Sequence, residues 1–199
     1  LAVQKQIYGG TNLTNDGTFT AAQIGRIRSF FVNGPETQTN GLDLFLKYDT
    51  DYAEGTISAG LEANWILKYS VDAYQKGGQT LAAAFDCVGQ FNITNTCRAM
   101  PELKAKAFLN YVTDKHNFYG AINHIAAYDD EQTSTEITAH TTIDANYTYS
   151  FTDEVSMTFS VYNLTDEQPP FAFFDMSYDP NTHSPLGRNV KIGFTYFME

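Results

Sequence analysis

Strict alternation of apolar and polar side chains is the feature that most constrains this chain. Between residues 56 and 69 one face carries Ile57, Ala59, Leu61, Ala63, Trp65, Leu67 and Tyr69, and the other carries Thr56, Ser58, Gly60, Glu62, Asn64, Ile66 and Lys68. A period of two is a β-strand with one apolar side and one wet side. The run lasts roughly twice the ~5–6 residues of an ordinary soluble strand. That length limits the fold to extended, two-faced sheet.

The same pattern recurs along the chain. Leu42, Leu44, Leu46 and Tyr48 oppose Asp43, Phe45 and Lys47, and Leu103, Ala105, Ala107, Leu109 and Tyr111 oppose Lys104, Lys106, Phe108 and Asn110. Ile137, Ala139, Thr141, Ile143, Ala145, Tyr147 and Tyr149 oppose Thr138, His140, Thr142, Asp144, Asn146 and Thr148. Val155, Met157, Phe159 and Val161 oppose Ser156, Thr158 and Ser160, and Val190, Ile192, Phe194, Tyr196 and Met198 oppose Lys191, Gly193, Thr195 and Phe197. Residues 118–128 are strand-like with an ambiguous phase, one face carrying His124 and the other Asn123. A weaker eighth strand is expected at 24–33. Residues 1–20 fit the tail of a strand and a turn, without a clear phase.

The connections alternate in length. Those near 49–55, 113–117 and 152–154 are short, 129–136 is intermediate, and 70–100 and 164–186 are long. Short turns at one end and long loops at the other predict an all-β antiparallel transmembrane β-barrel, with short periplasmic turns and long extracellular loops. Tyr48, Tyr111, Tyr119, Tyr147, Tyr149 and Tyr196 fall near the short-turn ends, as an interfacial aromatic belt requires. A soluble β-sandwich also alternates its residues, but leaves the strand length and the loop alternation unexplained. No stretch approaches the ~20 apolar residues of a membrane helix. The formal net charge of −11, from 23 acidic and 12 basic side chains, argues against nucleic acid as a partner.

Unpaired strand edges in hydrocarbon are costly, so the sheet must close. It closes either as a self-contained eight-stranded barrel or as the C-terminal part of a larger one. The start within strand-like sequence, with neither leader nor turn (LAVQKQIYGG), favours the second.

The closing region carries the most specific pattern: NLTDEQPPF at 163–171, YDPNTHSPLGR at 178–188 and NVKIGFTYFME at 189–199. It resembles the C-terminal signature of TonB-dependent outer-membrane receptors. In that family a penultimate strand ends in an N-L-(F/T)-D-(E/K) turn, PPF and YDP elements follow, and G-R opens the last strand. TNGLDLFLKYDT at 39–50 and GTISAGLEANWILKYSV at 55–71 resemble earlier strands of the same barrel. The resemblance spans about residues 24–199 and implies about eight C-terminal strands of a larger barrel, filling residues 1–199, with the plug domain outside this chain. It implies no enzyme. Its role would be uptake of a scarce solute: a ferric siderophore, another metal complex or a glycan. The implied partners are outer-membrane lipid, the plug and remaining strands, an inner-membrane TonB complex reached through the missing N-terminal part, and the solute. The chain departs from the family in ending Phe197-Met198-Glu199 rather than in Phe, and in matching neither plug nor TonB box. A small autonomous outer-membrane barrel with a structural or adhesive role, and a soluble secreted β-sandwich binding module, are the alternatives.

Catalytic patterns are absent. The four histidines His116, His124, His140 and His183 lack H-x-x-x-H or H-E-x-x-H spacing, and no G-x-S-x-G occurs. No cofactor or metal is expected. Asp49, Asp51 and Glu54, and Asp129, Asp130 and Glu131, read as solvated loop charges. Cys87 and Cys97 lie in a Gly/Asn/Thr-rich stretch whose spacing suits a disulfide; the alternative is two unrelated thiols. Glu62, Asn64, Lys68, Lys104, Lys106, Asn110, His140, Asp144 and Asn146 are the expected lumen-lining residues. At the mouth, Phe171, Phe173, Phe174 and Tyr178 are candidate ligand contacts, with Arg98, His183 and Arg188 as candidate anion partners.

Overall fold

The computed structural model describes residues 33–93 and 97–198. The strand expected at 24–33, apart from its last residue, and the segment 1–20 lie outside the described residues. The described part is all-β. Seven long strands form one antiparallel wall: β1 (Thr37–Tyr52), β2 (Gly55–Val71), β8 (Leu103–Val112), β9 (His116–Ile125), β12 (His140–Ser150), β13 (Val155–Tyr162) and β14 (Asn189–Tyr196), in the order β1-β2-β8-β9-β12-β13-β14. The long strands pair with their chain neighbours, as in an up-and-down barrel wall. The sheet does not close: among the described residues β1 and β14 each stand at an edge.

Register shows what the alternation accomplishes. Ile57, Tyr111, Phe118, Tyr147, Phe159 and Ile192 lie side by side in one row across the sheet. Two rows further toward the long loops, Leu61, Ala107, Ile122 and Ile143 form another row on the same face. Each strand thus delivers its apolar set to one side. That side is bare: Leu109 is 55% exposed, Ile122 49% and Phe194 70%. A sandwich would cover these residues with a second layer, and among the described residues none covers them.

Register also settles β9. Phe118, Gly120, Ile122 and His124 share the apolar face, while Asn117, Tyr119, Ala121 and Asn123 share the polar one. Tyr119 therefore leaves the expected belt: it pairs with Asn110 and Asn146 and stacks on Phe108 at 6.1 Å. The belt retains Tyr111, Tyr147, Tyr149 and Tyr196, and Tyr48 by strand parity with Asp49, and His116 joins it by bonding Tyr147 Oη at 2.8 Å.

The long connections build structure of their own. After β2, β3 (Tyr74–Lys76) and β4 (Gln79–Ala82) make a hairpin, and β5 (Phe85–Asp86) pairs with the last residues of β2. Separately, β6 (Gln90–Asn92), β7 (Arg98–Met100), β10 (Tyr128–Asp130) and β11 (Thr135–Ile137) form a four-stranded sheet in the order β11-β10-β6-β7. This cap holds a small core of Phe91, Tyr128, Ile137 and Ala172, with Phe174 set edge-on to Phe91. Cys87 and Cys97 are joined beside it as a disulfide, with Cα atoms 6.1 Å apart.

Candidate functional site

The polar face of the wall is a hydrogen-bonded surface. Asn64 Nδ2 donates to Asp43 at 2.6 Å, and Ser58 Oγ donates to Asp49, so β1 turns its acids to the same side as Ser58 and Asn64. Glu62 stands opposite Lys106, whose ammonium lies 5.8 Å from the Tyr119 ring centre. Asn123 donates to Asp144 Oδ2 at 2.9 Å, and Asp144 Oδ1 accepts the backbone N–H of Asn163 at 2.9 Å. One carboxylate thus ties β9, β12 and the start of the last long loop together.

Placement of the nine expected wall residues follows from these registers. Glu62, Asn64, Lys104, Lys106, Asn110, His140, Asp144 and Asn146 share the polar face, and Lys68 continues it by strand parity. Among the described residues, four buried side-chain polar atoms lack a hydrogen-bond partner: Asn110 Oδ1, Asn117 Oδ1, His140 Nε2 and Asn189 Oδ1. All four belong to this face. Beneath the last long loop, His140, Asp144, Tyr162, Asn163, Asn189 and Lys191 line a cavity of about 350 Å³.

The N-L-T-D-E turn has a physical reading. Asn163 and Asp166 both adopt left-handed backbone, at φ 53° and 58°. Asn and Asp tolerate that region better than other non-glycine residues. The Asn163 side chain brackets the turn, donating to the Glu167 carbonyl at 2.8 Å and accepting its N–H at 2.9 Å. Asp166 Oδ1 then receives the backbone N–H of Arg188 at 2.7 Å. A Cβ on Gly187 would crowd that same oxygen, so a side chain at 187 would push the Asp166 carboxylate off its bond to Arg188. The turn-out and the G-R pair, far apart in sequence, are two halves of one clasp.

The cap is organised by buried acids. Asp130, with no exposed surface, accepts the N–H of Gln132 at 3.0 Å and of Phe173 at 2.9 Å, holding the loop 163–188 to β10. Asp179, also fully buried, accepts the Tyr128 hydroxyl at 2.7 Å and the N–H of Asn181 at 2.9 Å. Tyr128 Oη lies 2.9 Å from His183 Nε2, and His183 Nδ1 lies 3.0 Å from His140 Nδ1. Burial, and then the nearby His140, push His183 down to about 4. Burial and the Asp179 carboxylate raise the Tyr128 hydroxyl above the usual phenol value.

The seven candidate mouth residues divide. Phe171 and Phe173 are exposed on the loop, Arg98 is exposed at the start of β7, and Arg188 is exposed beside Asp166, 4.0 Å away. Tyr178 is half-buried, Phe174 packs on the cap core and His183 is buried. Sequence reasoning missed the organising roles of Tyr128, Asp130 and Asp179. The available signals were the YDD run in β10 and the YDP run of the closing region, polar residues beside aromatics where a solvated loop needs neither.

Comparison with known proteins agrees with this architecture. A sequence model of the family described as TonB-dependent receptor-like β-barrel matches residues 4–164, most of the chain. Neither a curated protein nor a solved structure matches. The family is one of receptors and transporters, generally of the outer membrane, and not of enzymes. A long-stranded antiparallel wall, bare on its apolar side and hydrogen-bonded on the other, is what that match requires, and the chain belongs to the TonB-dependent receptor-like β-barrel family.

Proposed function

We propose that this chain is the C-terminal portion of the barrel of a bacterial outer-membrane receptor that takes up a scarce solute. Its short turns face the periplasm and its cap faces outside. The solute is a ferric siderophore, another metal complex or a glycan. The apolar face meets lipid, the polar face meets a plug domain carried by the rest of the receptor, and an inner-membrane TonB complex supplies energy through that missing part. Exposed Phe171, Phe173, Arg98 and Arg188 are the mouth contacts.

One observation carries this reading: an uncovered apolar face backs a face of hydrogen-bonded polar and charged side chains. Lipid suits the first, and a plug or hydrated lumen suits the second. The test is fractionation of the full receptor in its own host. The expected result is an outer-membrane band whose gel mobility shifts on heating. Recovery as a monomer in water without detergent would remove the membrane reading.

A further inference from the structure

The hydrogens of the buried chain in the cap can be counted. Asp179 is an acceptor, so the Tyr128 hydroxyl hydrogen points to it at 2.7 Å. Tyr128 Oη must then accept from His183 Nε2, 2.9 Å away. A neutral His183 protonated on Nε2 has a bare Nδ1, and the 3.0 Å contact there requires His140 Nδ1–H to donate. Each junction now holds one hydrogen. His183 Nδ1 is then the one open lone pair of that ring, and a proton filling this vacancy would set two N–H groups face to face across the 3.0 Å contact.

This vacancy sits where the loop meets the wall. Asp179 and His183 belong to the loop 163–188, Tyr128 to β10 and His140 to the outer end of β12. His140 and His183 are 8% and 5% exposed. The other charges facing the pair are Lys104 from β8, toward His183, Glu167 from the loop, toward His140, and Asp144 of β12 and Lys191 of β14, which line the cavity with His140. An imidazolium here would be desolvated, with its nearest buried carboxylate a tyrosine away and a lysine on the other side. Release of the loop gives both rings water instead.

We propose that the His140–His183 pair is a one-proton latch that docks the loop 163–188 onto the barrel wall at neutral pH and releases it on acidification. The cavity of about 350 Å³ lined by His140 supplies the proton's route. The sign follows from linkage. A released histidine binds its proton near pH 6.5, whereas docked His183 does so near 4. Between those values release takes up a proton, so docking weakens as pH falls through the window and is constant above about 7. One proton linked this way lowers the docked-to-released ratio about thirtyfold between pH 7.5 and pH 5. The latch holds whichever solute the barrel carries.

The experiment uses the full receptor in outer-membrane vesicles with a spin label at Met176→Cys, exposed in the loop, and a control label at Asp153→Cys in the short turn after β12. The mobile fraction at Met176 should rise as pH falls from 7.5 to 4.5, with a slope of up to one proton, while the Asp153 label stays constant. His140→Gln and His183→Gln should flatten the rise. An undiminished rise in both variants, a flat wild type, or an equal rise at both labels would each overturn the latch. If the variants fail to reach the membrane, the two wild-type labels still decide.

Discussion

The wall and the cap use opposite means of holding a β-structure together. Along the wall, Leu109, Ile122, Phe159 and Ile192 are exposed, and the strands are ordered by pairing and by side-chain bonds on the polar face. In the cap, strands of three residues surround buried Phe91, Ile137, Tyr128 and Ala172, and two fully buried acids join one loop to the next. The cap resembles a small soluble domain that needs its own core and a disulfide. The wall has exported its hydrophobic burial to the solvent on its outer side. A single chain therefore carries two solvent expectations, and a substitution should be judged by which one it meets.

The largest expected effect tests the wall. Ile122 and Asn123 are adjacent in β9 but point to opposite faces, Ile122 in the row with Leu61, Ala107 and Ile143. Ile122→Arg should cost about 2–4 kcal/mol of stability in lipid vesicles, the range for a cation on a lipid-facing barrel position. Asn123→Arg should cost much less. Denaturant unfolding from vesicles measures both, and equal losses would break the contrast between faces. In the cap, Asp130→Ala removes the acceptor of two backbone N–H groups, a loss of about 2 kcal/mol. That loss should stay local: proteolysis of the loop 163–188 should accelerate while the heat-modified mobility of the barrel stays unchanged. If barrel and loop loosen together, the cap is not a separate unit of stability.

These two regions also differ in how far a sequence reveals them. The wall is legible because a strand with one bare apolar side repeats a local rule over eight residues or more, and β2, β8, β12 and β13 keep the phase that rule assigns. β9 is the exception. In Phe118-Tyr119 and Asn123-His124 neighbouring residues are alike in aromatic character or polarity, so only pairing with β8 and β12 selects a face. Tyr119 shows the corresponding limit: position along a strand locates its depth, not its side. The cap is illegible for a different reason. Its strands are shorter than any period, and its key bonds span great distances in sequence, Asp130 to Phe173 and Tyr128 to Asp179. His183, expected at the mouth, is instead buried by contacts that no local pattern encodes.

The smallest effect examines the clasp that joins the two regions. Asp166 meets Arg188 twice, through the backbone N–H at 2.7 Å and through the guanidinium at 4.0 Å. Both side chains are about half exposed, so the ion pair is screened and contributes under about 0.5 kcal/mol. The backbone bond fixes where β14 begins, and its loss costs about 1 kcal/mol. Arg188→Gln should therefore leave the unfolding midpoint nearly unchanged, while Asp166→Ala lowers it. Asp166→Asn, which keeps an acceptor oxygen without the charge, should behave like Arg188→Gln. If Asp166→Asn instead matched Asp166→Ala, charge rather than backbone geometry would hold the last strand in place, and the glycine at 187 would need another explanation than the room it leaves for that oxygen.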